Sequence, residues 1–127
     1  MNPDYAEHKR DRRLRKRILL ALHAARVRPE AGWMSGRFLY DLIDGALPGG
    51  QRFNSDLHLL GLVRDLVNAG YAQERDERQR VDELFSLDTL SFRVTSQGTA
   101  LALEAIDPDP VIEDSRSSRP QRAGSAL

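Results

Sequence analysis

Residues 54–71 read N-S-D-L-H-L-L-G-L-V-R-D-L-V-N-A-G-Y, and they hold a whole helix with both of its ends. Asn54 or Ser55 can accept a hydrogen bond from the first free amides, and Asp56 sits where the positive end of the helix dipole favours an acid. Apolar residues recur at 57, 60, 63, 66 and 67, the spacing of one helical face. Gly70 supplies the left-handed conformation that ends helices, with the aromatic Tyr71 after it. The chain then passes straight into a β-like segment, 71–75. The apolar content exceeds one stripe, because Leu57, Leu59, Leu60, Leu62, Val63, Leu66 and Val67 wrap more than half of the helix. Cover for the surplus at Leu59 and Leu62 must come from this domain or from a partner chain.

Working outward, the text before this helix carries two more. Leu14, Ile18, Ala21, Leu22 and Ala25 form one face of a first helix that stops before Pro29. Trp33 and Met34 make a brief strand. Ser35 then caps a second helix with Phe38, Leu39, Leu42, Ile43 and Ala46 on one side, ended by Pro48, Gly49 and Gly50. The link from there to Asn54 is longer than a tight helix-turn-helix allows.

On the other side, Leu90, Phe92 and Val94 alternate with Ser91, Arg93 and Thr95, the pattern of a half-buried strand over 90–95. With 71–75 it makes an antiparallel hairpin around a long charged tip. Val81, Leu84 and Phe85 are spaced for a helical turn within that tip. A last helix is expected over 99–106, opened by Thr95 to Gly98 and stopped by Asp107, Pro108, Asp109 and Pro110. Residues 107–127 are rich in Ser, Arg and Pro and read as a disordered tail. The expected division is a basic N-terminal arm or helix extension at 1–13, one domain at 14–106, and the tail at 107–127.

The charges are not evenly mixed. The 127-residue chain has 19 Lys/Arg and 19 Asp/Glu, yet residues 1–30 hold nine cations against four acids. Seven of those cations, Lys9, Arg10, Arg12, Arg13, Arg15, Lys16 and Arg17, fall within nine positions. Such a cluster is unfavourable without an anionic partner, and Lys and Arg displace condensed counterions from a nucleic-acid backbone. The plainer reading is a solvated helix start. There are no cysteines, so disulfides and thiolate metal sites are excluded. No apolar run reaches the length of a membrane span. The run at 18–25 follows too long a basic region for a signal peptide, and a cytoplasmic protein is expected.

Three stretches resemble a known family. L-V-N-A-G-Y at 66–71 is similar to the end of the third helix of winged helix-turn-helix regulators of the MarR and PadR type. F-R-V-T-S-Q-G at 92–98 is similar to the close of their second wing strand, and W-M-S at 33–35 to the small strand and cap before their second helix. The resemblance covers about residues 14–106 and implies a mainly α fold with a small β-wing (α+β), in the order α-β-α-α-β-wing-β-α. It also implies double-stranded DNA as partner, with the third helix in the major groove. Groove-facing candidates are then Asn54, Ser55, His58, Gly61, Arg64, Asp65 and Asn68, and wing candidates are Arg75, Arg78 and Arg80. Asp56 and Asp65 on the third helix, and five acids among the wing arginines, depart from that pattern, since an acid near phosphate is costly.

His8, His23 and His58 are scattered, and none has an acid or Cys at ligand spacing. No P-loop or nucleophile elbow is present. The expectation is no catalytic residue, no metal and no cofactor. Two functional readings stay open. One is a dimeric DNA-binding transcriptional regulator anchored by Lys9, Arg10, Arg12, Arg13, Arg15, Lys16 and Arg17. It would take base contacts from His58, Arg64 and Asn68, and backbone contacts from Arg52, Arg78 and Arg80. The other is a protein-interaction adaptor of phage or mobile-element kind, using the apolar third helix or the wing.

Overall fold

The computed structural model describes residues 3–27, 32–46, 52–80, 82, 84, 86–114 and 116. Among these residues four helices and three strands follow one another as α1 (Pro3–Ala25), β1 (Met34–Ser35), α2 (Gly36–Ala46), α3 (Asp56–Asn68), β2 (Ala72–Asp76), β3 (Leu90–Val94) and α4 (Ser96–Ala102). The fold is mixed α+β, with a small antiparallel sheet in the order β1-β3-β2. Phe92 lies at its centre, opposite Met34 on one side and Glu74 on the other, and is fully buried.

The ends of α3 follow from its sequence. Ser55 is extended, and its Oγ accepts the His58 amide at 3.2 Å. At the exit Tyr71 N–H donates to the Leu66 carbonyl and Gly70 N–H to that of Val67, the paired bonds of a Schellman cap. That geometry requires a positive φ at the residue after the cap, and Gly70 has φ +90. Leu59, Leu60, Leu62, Val63 and Leu66 are all buried within the domain, so the apolar surplus at Leu59 and Leu62 is covered from inside.

The two junctions quoted above, 66–71 and 92–98, meet in space. Thr95 Oγ1 donates to the Gly70 carbonyl at 2.8 Å and accepts the Gly98 amide at 3.0 Å, while Thr95 N–H donates to the Tyr71 carbonyl at 3.1 Å. One threonine therefore caps α4 and clamps the exit of α3. A Cβ on Gly98 would lie 2.0 Å from the Tyr71 carbonyl oxygen, so only glycine fits. Ser35 caps α2 by accepting the Phe38 amide at 3.1 Å.

Leu14, Ile18, Leu19, Leu22 and Ala25 of α1 are buried against the other elements. The helix runs unbroken from Pro3 across the boundary expected at residue 13, which makes the basic segment a helix extension. β2 begins one residue later than expected. The expected stops at Pro29 and at 48–50, and the turn involving Val81 and Phe85, lie outside the described residues.

Two expectations are corrected. The last helix spans Ser96–Ala102 instead of 99–106, because Thr95 provides the cap earlier and Ala105 and Ile106 lie outside the core. Glu104 takes φ +58, and the Ala105 amide reaches back to the Ala100 carbonyl, closing the helix. The segment after it is not loose at its start. Residues 107–114 cross back over α1, with Ile112 and Asp114 fully buried. Tyr71 donates its hydroxyl to Asp109 at 2.5 Å, and that bond, with burial, pushes the phenol up to about 12. Low apolar content averaged over 107–127 hides the single pair Val111 and Ile112, which is what docks. Residues 115 and 117–127 lie outside the described residues.

Candidate functional site

The residues expected to face DNA from α3 are held by neighbouring elements. His58 Nδ1 accepts the Asn54 backbone N–H at 3.0 Å, which leaves the ring proton on Nε2, 2.9 Å from Asp11 of α1. Arg64 forks onto Glu74 of β2 with contacts of 2.9 and 3.0 Å, and the pairing raises its pKa. Asp65 accepts Arg15 of α1 at 2.8 Å, and Asp56 accepts Arg37 of α2, which also reaches Asp88. The two acids that made α3 a poor partner for phosphate are thus neutralised from inside. Asn54 and Asn68 are exposed, Gly61 has open space where a side chain would go, and Leu57 is 75% exposed. Ser55 is spent as the cap.

Three arginines of the hairpin are neutralised within it. Arg75 pairs with Glu77, Arg78 with Asp76 at 2.9 Å, and Arg80 with Asp82 at 3.1 Å, each two residues along the chain. Arg78 holds the Asp76 carboxyl below the usual carboxylate range. Arg75 and Arg93 both lie over the Trp33 ring, 4.4 and 4.6 Å from its centre. Arg52 is loosely paired with Asp44 at 3.8 Å. Exposed pairs of this kind are weak and screened by solvent, so any one of them can open. Opening one in front of phosphate, however, leaves a bare carboxylate beside a polyanion. These arginines are poor anchors for that reason.

Along α1 the basic residues divide by face. Arg12 donates to the Ile112 carbonyl at 3.1 Å, Arg15 to that of Val111 at 3.1 Å, and Arg13 pairs with Glu113 at 2.9 Å. Residues 9, 13, 16, 17 and 20 follow helical spacing and share the outward face. Among the described residues, Lys9, Lys16 and Arg17 have no carboxylate within ion-pair distance. Arg10 is half-buried, with its Nε atom lacking a hydrogen-bond partner. The structure therefore gathers Lys9, Arg13, Lys16 and Arg17 into one ridge, and ties Arg12 and Arg15 to the C-terminal segment and α3.

Two features escaped the sequence reading. Asp11 belongs to the inward face of α1, seven residues before Ile18, and an acid there has reason to exist only with a partner. That spacing is the signal that could have found the His58 contact. The clasp on Trp33 left no such trace, because it joins three separate stretches of chain. Among the described residues, no group of three or more His, Cys, Asp or Glu side chains is placed to hold a metal ion, and no helix is long and apolar enough to cross a membrane. No family model, curated protein or solved structure matches the chain.

Proposed function

We propose that this chain is a small cytoplasmic winged-helix protein that binds double-stranded DNA as a transcriptional regulator, gripping it mainly with the outward face of α1. Support for the winged helix comes from the element order and from the pairing of β1 with β3 beside the β2–β3 hairpin. The meeting of the two family-like junctions at Thr95 supports it too. The observation that carries the DNA reading is the contrast in pairing. Among the described residues, Lys9, Lys16 and Arg17 on α1 have no carboxylate partner, while Arg64 of α3 and Arg75, Arg78 and Arg80 of the hairpin are matched by acids. Contacts to phosphate position a protein without reading sequence, so this grip is largely sequence-independent. Any base preference would come from the exposed edge of α3 at Asn68 and Gly61.

Titration of the full chain with mixed-sequence duplex DNA at several salt concentrations tests the reading. Affinity should fall with salt, with a log–log slope of about −0.9 for each phosphate neutralised. Replacing Lys9, Lys16 and Arg17 by Gln should flatten the slope by roughly 2 to 3, while Arg78→Gln with Arg80→Gln should leave it nearly unchanged. Equal slopes for the wild type and the α1 variant, or no binding at low salt, would overturn it. The adaptor alternative finds its support on a different face from the third helix.

A further inference from the structure

Between α1 and α2 the surface opens into a groove of about 270 Å³, lined by Arg17, Leu20, Ala21, Leu42, Ile43 and Ala46. Two leucines in its walls are only partly covered by the fold. Leu20 stands on the outward side of α1, away from the packed stripe, and is 38% exposed. Leu42 is 47% exposed, although Leu39 and Ile43 on the same helix are buried. Phe38 lies one turn before Leu42 and Ala46 one turn after it, so the apolar strip runs along α2. Small residues at 21 and 46 give the groove its depth. Two helices with an apolar channel between them offer the surface on which a third helix packs.

Charge selects the occupant. The α1 wall is crowned by Arg17 at the groove, with Arg13 and Lys16 within about one turn of it and Lys9 further along the same face. A second copy of this chain, related by a two-fold axis through the groove, would bring two such ridges together. The exposed acid on α2, Asp41, is one charge against three open cations, Lys9, Lys16 and Arg17, on each ridge, Arg13 being paired with Glu113. A partner with acids along one edge meets the ridge favourably instead.

We propose that the α1–α2 groove docks an amphipathic helix of a partner protein, apolar on the face that enters the groove and acidic on the edge that meets Arg17. This does not rest on the DNA reading, although both use Arg17. The probe is a designed amphipathic peptide with Leu at helical three-four spacing and Glu along both flanks, beside the same peptide with Lys for every Glu. Binding to the full chain is read by fluorescence anisotropy, and the site by backbone amide shifts. The acidic peptide should bind in a salt-sensitive way, with shifts confined to residues around Leu20, Ala21, Leu42 and Ala46. Leu42→Glu should weaken it about tenfold or more, since it places a charge where a leucine is buried on docking. Its circular dichroism should be unchanged, because Leu42 is on the surface. Arg17→Glu should reverse the preference between the peptides without disturbing the apolar contact. Equal binding of the two peptides, shifts elsewhere, or no binding of the acidic peptide would overturn the proposal. So would concentration-dependent self-association abolished by Leu42→Glu, which would make a second copy the occupant.

Discussion

Gly98 shows how little room the fold leaves at one position. Its missing Cβ would fall 2.0 Å from the Tyr71 carbonyl oxygen and 2.8 Å from Val94 Cγ2. Backbone cannot retreat there, because Thr95 bonds both Gly70 and Gly98. Gly98→Ala should therefore cost about 3 kcal/mol, the upper end for overpacking, read as a fall in urea midpoint with unchanged slope. A variant as stable as the wild type would mean that the α3–α4 joint is not rigid. The sequence displayed both halves of this joint, because each obeys local rules: a glycine after a helix and a threonine before one. Their contact was not legible, since nothing local records that positions 70 and 98 touch. The same holds for His58, whose neighbours in sequence are apolar or solvent-facing while its partner, Asp11, lies 47 residues away.

At the level of elements, the strap formed by residues 107–114 is the part that composition misjudged. Ile112 is fully buried, and Ile112→Ala should destabilise the chain by about 3 kcal/mol, as other large-to-small changes in cores do. Thermal unfolding would check this, and a change within ±0.5 kcal/mol would show that the strap is not docked in solution. The strap should also respond to acid. Hydrogen bonds from Arg116 hold the buried Asp114 carboxyl well below the usual carboxylate range. A carboxyl depressed in the folded state adds stability that is complete above its unfolded value, about 4, and is lost as pH falls below it. The stability gap between wild type and Asp114→Asn should therefore be widest at neutral pH and close on acidification. A gap that stayed constant to pH 2 would refute the assignment. The helices were more legible than the strap, because 3.6-residue periodicity reports on burial and a single docked isoleucine has no period. The end of the last helix was not legible, because Ala105 and Ile106 keep helical spacing although both lie outside the core.

For the whole molecule, zero net charge conceals a strong asymmetry that the sequence did reveal. What it could not reveal is which cations the fold would use internally. Among the described residues, pairing in space left Lys9, Lys16 and Arg17 open and closed Arg64, Arg78 and Arg80, although all six read alike as cations. The candidate site was thus legible as a list of charges and illegible as a surface. Arg12 and Ile112, which touch, are 100 positions apart. At a synthesis rate of about 5–20 residues per second, α1 waits roughly 5–20 s after it is made before the strap exists to cover it. Throughout that interval Arg12 and Arg13 face water or whatever polyanion is near, the ribosome's own RNA included, and Arg15 has only Asp65 of α3. A nascent chain stalled at residue 106 should then show faster amide exchange in the first half of α1 than one stalled well beyond residue 116. Equal protection in the two would mean that α1 is secured before the strap arrives. Among the described elements the strap closes the fold, and α1, made well before it, is the one kept waiting.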